Sequence, residues 1–256
     1  MATVGIVGGL GPESTIDYYR RILEAWAREE PGTSPSIVID SLDVATGLRL
    51  VANDRQGLIT YLTQSIRRLA GAGVDFVAMA ANTAHIVFDE LAAASPVPLL
   101  SIVETCLEEV RRLGLLRPGL LGTRFTMEAP FYPQVFARHG IDIVTPAVDE
   151  RLWLHERYVG ELLKGDFRPE TREGITALVR RMRVDHAIDG VILGGTELPL
   201  ILGASIVDGL PCVDTTALHV AAIVRCLRQP ALCGARPWVT GSPAHAGRPP
   251  EAGTGG

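Results

Sequence analysis

The chain has 256 residues, enough for one large domain or two small ones, each with length to bury a core. Hydrophobic residues make up 47%, charged residues 21% and aromatics 5%, a soluble globular profile. Lysine and arginine number 24 against 29 acids, a net charge of −5, so no basic surplus exists to neutralise a nucleic-acid backbone. Apolar stretches are broken by Gly, Pro or charge well before the roughly 20 residues of a spanning helix. The opening MATVGIVGGLGPEST lacks a basic n-region, so a cytoplasmic protein that binds neither nucleic acid nor membrane is expected. Cys106, Cys212, Cys226 and Cys233 form no CxxC pair and have no His-rich partner segment, so reduced thiols are expected, with no zinc site and no disulfide framework.

Short β-branched runs alternate with amphipathic segments. Strands are predicted at Thr3–Val7, Ser36–Ile39, Phe76–Met79, Leu99–Ile102, Leu120–Gly122, Asp142–Val144, Val191–Leu193 and Cys212–Asp214. Between them Ile16, Tyr19, Ile22, Leu23 and Trp26 share one helical face, as do Leu178, Val179 and Met182. This alternation predicts an α/β fold with parallel sheets flanked by helices. Residues 234–256 hold ten Gly and Pro in 23 positions without apolar period, which reads as a disordered tail.

A shift of 114 residues aligns Gly5-Ile6-Val7-Gly8 with Gly119-Leu120-Leu121-Gly122, and Asp75–Met79 with Asp189–Leu193. At 113, Val97-Pro98 meets Leu210-Pro211. Two similar three-layer halves related by pseudo-twofold symmetry are therefore expected. Residues 1–103 plus about 215–230 would form the first and 104–214 the second, with a cleft where equivalent strand ends face each other.

Three loops at predicted strand ends can carry chemistry. Gly8–Thr15 follows a strand and opens a helix, but Gly9-Leu10-Gly11 is followed by Pro12-Glu13-Ser14, so the third glycine of a dinucleotide fingerprint is missing. Two readings remain for it: a carboxylate site at Gly11 on a helix N-terminus, or a plain structural turn. Ala80–His85 and Gly194–Pro199 occupy equivalent places in the two halves. Asn82, Thr83 and Thr196 are neutral donors suited to a carboxylate or amide. His85 and Glu197 are the titratable groups of these two loops: proton-transfer groups on one reading, a capping or buried histidine and a helix-end carboxylate on the other.

These segments together resemble the cofactor-independent aspartate/glutamate racemases over about residues 3–228. The likeness is carried by Gly5–Glu13, Asn82–His85, Gly122–Glu128, Glu161–Gly165, Thr196–Pro199 and Asp214–Thr216 with His219. It implies a two-domain α/β fold with a cleft between the domains, no cofactor, no metal, a small carboxylate substrate and a homodimer. It also implies that Arg49 and Lys164 lie near the substrate, with Gly11, Asn82, Thr83, Thr123 and Thr196 binding it; an exposed surface role for Arg49 and Lys164 is the other reading. The family's two catalytic thiols precede Asn-Thr and Thr-Glu. Here those places hold Ala81 and Gly195, neither of which can exchange a proton. Three functions follow as expectations. One is altered chemistry on a small amino-acid-derived carboxylate, such as cyclisation, elimination or tautomerisation, using His85, Glu197, Lys164 or Asp43. The second is racemisation or epimerisation by His85 and Glu197 from opposite faces. The third is a catalytically silent binding homologue.

Overall fold

The computed structural model describes residues 2–203 and 205–230, and the backbone of 239–240. In the first half, β1 (Thr3–Gly8) leads to α1 (Pro12–Glu29), β2 (Ser36–Ser41), α2 (Val44–Asn53), α3 (Arg55–Gly71) and β3 (Phe76–Met79). A 3-10 turn, Thr83–Val87, then runs into α4 (Phe88–Ala94) and β4 (Leu99–Leu100). The second half holds α5 (Ile102–Arg112), β5 (Gly119–Gly122), α6 (Arg124–Glu128), α7 (Phe131–Ala137), α8 (Val148–Gly160) and a 3-10 turn at Leu162–Lys164. There follow α9 (Pro169–His186), β6 (Val191–Gly194), α10 (Leu198–Leu202), β7 (Ile206–Val207), β8 (Leu210–Asp214), α11 (Thr215–Arg228) and β9 (Val239–Thr240).

Two sheets result, ordered β2-β1-β3-β4-β9 and β5-β6-β8-β7. Strands β2, β1, β3 and β4 are parallel, as are β5, β6 and β8. A single parallel bridge joins Val144 to Gly119. Val144 thus takes the place beside β5 that β2 takes beside β1, and the internal repeat becomes two copies of one strand order. The predicted strand Asp142–Val144 shrinks to this bridge, and Leu99–Ile102 to two residues, because the Ser101 hydroxyl accepts from the Glu104 N–H at 3.2 Å and starts α5. Strands β7 and β9, both antiparallel, were not predicted. Of the segment read as a disordered tail, Val239–Thr240 pairs with Leu100 and Leu99; the rest lies outside the described residues.

Each sheet is apolar on both faces, as parallel sheets buried between helices must be. Val4 and Ile6 face α1 and α11, packing with Tyr18, Ile22, Trp26 and Ile223. Val7 and Val77 face α3, with Leu62 and Ile66. In the second sheet Leu121, Val191 and Leu193 pack with Leu178 and Val179 of α9, while Leu120, Ile192 and Val213 pack with Cys106 of α5 and Phe136 of α7. The predicted Leu178-Val179-Met182 stripe is buried. That of α1 is rotated: Ser14, Tyr18, Ile22 and Trp26, four residues apart, face the core, and Ile16 and Tyr19 are 44% and 45% exposed. A strict i, i+4 row along the axis outcompetes the wider apolar arc.

The thiols also depart from expectation. Cys226 is disulfide-bonded, whereas buried Cys106 and half-buried Cys212 are free. Among the described residues no helix is long and apolar enough to cross a membrane. Trp26 is buried against the cluster that includes Ile223 and Leu227 of α11 and donates its indole N–H to the Thr33 hydroxyl at 3.0 Å. Trp26→Ala is expected to cost about 3–5 kcal/mol, read as a lower denaturation midpoint in urea at unchanged slope.

Candidate active site

The loops after β1, β3, β5 and β6 converge at the carboxyl ends of the two sheets, where ligands of open parallel sheets bind. They line a cleft, partly open to solvent, with an interior of about 50 Å³. Its polar lining is Asn82, Thr83, Thr123, Tyr158, Thr196 and Glu197. Its aliphatic lining includes Leu10, Val44, Leu48, Val51, Leu58 and Leu163. Ala81 and Gly195 also line it, one from each half.

The polar lining is organised around Glu197, whose carboxyl is 1% exposed. It does not cap its own short helix α10. It reaches across to the first turn of α1, where the Ser14 hydroxyl meets Oε1, and to α8, where the Tyr158 hydroxyl meets Oε2. Thr196 Oγ1 lies 3.0 Å from Oε2 and 2.6 Å from the Ser14 hydroxyl. Four close oxygen–oxygen contacts thus join three hydroxyls and one carboxyl. Three hydroxyls supply three protons, so all four contacts are hydrogen bonds only when the carboxyl carries the fourth. Burial likewise raises the Glu197 pKa, against the lowering effect of its hydrogen bonds from Ser14, Tyr158 and Thr196. Burial and the neighbouring Glu197 raise the Tyr158 pKa well above a phenol's usual value, so the phenol keeps its proton.

Two glycines make room for this cluster. A Cβ on Gly11 would lie 2.3 Å from Glu197 Oε1. The predicted anion site at the start of α1 is therefore occupied by the protein's own carboxyl. A Cβ on Gly195 would lie 2.5 Å from the Tyr158 hydroxyl and 2.6 Å from its ring, so the phenol fills the space beside Gly195. Ala81, 9% exposed, belongs to the apolar cluster that includes Leu58 and Leu62.

A second hydroxyl group joins the halves beside it. Thr83 Oγ1 lies 2.9 Å from Thr123 Oγ1 and 3.1 Å from Thr126 Oγ1. Thr123 also caps α6. Asn82 is fixed at both ends: its Oδ1 accepts from the Tyr132 hydroxyl at 2.6 Å, and its Nδ2 donates to Thr215 at 3.0 Å. Thr215 in turn donates to the Leu193 carbonyl at 2.7 Å, which fixes the amide's orientation.

The remaining predicted residues are not brought to the cavity. His85 is 2% exposed and stacks on Phe88 at 5.1 Å. Its Nε2 accepts from the Ile102 N–H at 3.2 Å, so its Nδ1–H donates to the Ala81 carbonyl at 3.0 Å. Both ring nitrogens are spent on main chain, and burial lowers its pKa to about 4. It positions the Ala81 loop. Asp43 caps α2 through the Thr46 N–H at 2.7 Å. Arg49 is exposed on α2, whose cavity face is Val44, Gly47, Leu48 and Val51. Lys164, the chain's single lysine, is exposed while its neighbour Leu163 lines the cavity. Ser14, Tyr132, Tyr158, Thr126 and Thr215 were not singled out as site residues, although Ser14 lies in the Gly8–Thr15 loop and Thr126 and Thr215 lie in segments that carry the family resemblance.

Residues 7–223 match the family model described as Asp/Glu/Hydantoin racemase. The chain belongs to that family. It is 32% identical to an aspartate racemase homologue from Pyrococcus horikoshii, whose crystal structure superposes with a TM-score of 0.74 over 90% of this chain and 100% of that one. It is 24% identical to a broad specificity amino-acid racemase of Bacillus subtilis over 84% of this chain and 93% of that protein. The fold is shared with an aspartate racemase from Picrophilus torridus, at 20% identity and a TM-score of 0.69.

The neutral His85 has a definite pH signature. Its folded pKa of about 4 lies below the unfolded value of about 6.5, so its contribution is present above pH 6.5 and is lost as pH falls through 4. The loss is on the order of 3 kcal/mol. Urea melts in steps between pH 7 and 4 are expected to show His85→Gln less stable at pH 7 but less acid-sensitive, by about that amount.

Proposed function

We propose that this protein is a cofactor-independent enzyme that moves a proton on a small amino-acid-derived carboxylate from one face of the cleft, a tautomerisation rather than two-thiol racemisation. Glu197 is the acid and base, and Ser14, Thr196 and Tyr158 hold its proton and pass it on. The observation that carries this reading is the hydroxyl cluster, whose four close contacts are all hydrogen bonds only around a protonated Glu197. Such a group first gives a proton to an electron-rich carbon of the substrate; as the carboxylate it then takes one from the substrate's heteroatom, which regenerates the acid. Asn82, Thr83 and Thr123 hold the substrate carboxylate. The opposite wall at Ala81 has no group that exchanges a proton, which supports one-sided chemistry. Racemisation by His85 and Glu197 from opposite faces finds no support, because both nitrogens of His85 are engaged by main chain.

The fold is divided on this reading into residues 1–103 with about 215–230, and 104–214, with the cleft between them. The packing of α11 on α1 supports the crossing of the chain back to the first domain. The homodimer implied by the family resemblance would cover the exposed Ile16 and Tyr19.

Proton NMR in deuterated water, with a panel of 2-oxo acids that carry two hydrogens on C3, tests the chemistry. Wild type is expected to exchange one of the two C3 hydrogens through the enol, and Glu197→Gln to slow that exchange by about 10²–10⁴. Loss of both C3 hydrogens at equal rates would sink the one-face reading, and no exchange with any member would leave the silent homologue.

If Ala81 and Gly195 stand where the family's thiols stand, the two positions respond differently to cysteine. Ala81→Cys is expected to fold with a near-native melting temperature. Gly195→Cys meets the Tyr158 ring and is expected to lose about 1–3 kcal/mol, and to cost less when made in a Tyr158→Ala background than in wild type.

A further inference from the structure

The cavity is built without a cation. Its polar lining carries hydroxyls, one carboxamide and the Glu197 carboxyl; its apolar lining includes six aliphatic side chains, three of them from the inner face of α2. Arg49 and Lys164, the two basic residues expected beside the substrate, are exposed and do not line it. A ligand with a second carboxylate would bury that charge against Leu10, Val44, Leu48, Val51, Leu58 and Leu163 with nothing to pair it, and the nearest titratable group is an acid. One carboxylate is tolerable, since Asn82, Thr83 and Thr123 supply neutral donors to it, and hydrogen bonds to a charged acceptor are the stronger kind.

We propose that the cleft takes a monocarboxylate with an uncharged aliphatic side chain, and rejects aspartate and glutamate. The carboxylate end sits on the Thr83–Thr123–Asn82 side and the side chain lies against the face of α2. This rests on the proposed function for the site but concerns binding, so it is tested apart from turnover. Asparagine and aspartate are similar in size and differ in charge, which separates the charge effect from shape.

Binding of leucine, valine, asparagine, aspartate and glutamate, both enantiomers of each, is measured by ligand-observed NMR and calorimetry on the full chain, as wild type and as Glu197→Gln. Leucine or valine is expected to bind at least tenfold more tightly than aspartate or glutamate, about 1.4 kcal/mol, with asparagine between them. The same order is expected in Glu197→Gln, where the proposed chemistry is removed. Leu48→Arg places a cation on the half-buried wall, where its stem can lie along apolar surface and its head reach water. It is expected to narrow or reverse the leucine-to-aspartate ratio by tenfold or more, with the melting temperature reporting that the fold survives. Aspartate or glutamate binding as tightly as leucine, or no binding by any member of the panel, overturns the assignment. Binding in the expected order without proton exchange leaves the ligand class standing and removes only the chemistry.

Discussion

A carboxyl group buried between two half-molecules sets the terms for everything near it. Glu197 leaves the end of β6 and is held by Ser14 from the first half and Tyr158 from the second. Taking a carboxyl out of water is costly unless its oxygens are hydrogen-bonded, and it is cheaper still if the group stays neutral. The hydroxyl cluster does both at once. Its geometry then dictates residues that touch no ligand: Gly11 has no room for a Cβ beside Oε1, Gly195 has none beside the Tyr158 ring, and Ser14 must sit on the core-facing row of α1.

The same constraint explains why so few of the polar groups near the cleft are free to react. His85 spends both nitrogens on main chain, Asn82 is clamped between Tyr132 and Thr215, and Thr123 caps a helix while meeting Thr83. These contacts hold the ends of β3 and β5 against each other. Each is worth about 1 kcal/mol net but leaves a costly orphan if broken, so the network fixes position more than it adds stability. On the proposed reading, what it leaves reactive is the Glu197 carboxyl with the hydroxyls around it.

Strand positions were legible because parallel strands buried on both faces read as continuous apolar runs, and the 114-residue repeat turned out to be one strand order used twice. The loops at strand ends were legible for the same reason. Contacts between helices distant in sequence were not. Ser14 and Glu197 are 183 residues apart, and Tyr158 looks like any core aromatic of an amphipathic helix until its hydroxyl is seen on a carboxyl. The rotation of α1 has the same root: Ile16 and Tyr19 fit an apolar arc, but the core selects the row through Ser14 because Glu197 waits at its end. Arg49 and Lys164 suited a carboxylate by type, yet the turn of each element gives the cavity Leu48 and Leu163 instead.

Family membership and altered chemistry are compatible because sheets fix the fold while strand-end loops fix the site. On the proposed reading the two strand ends have diverged by different physical routes. At Ala81 a reactive group is absent and the main chain keeps its place through His85, so the wall is inert. At Gly195 the missing Cβ admits the Tyr158 phenol, which closes the hydrogen-bond cluster around Glu197. A side chain at 195 and a phenol at this position exclude each other sterically, so the presence of one entails the absence of the other. On the proposed reading that exclusion accounts for the Glu197 face of the cleft, while the inert methyl at Ala81 is a separate change.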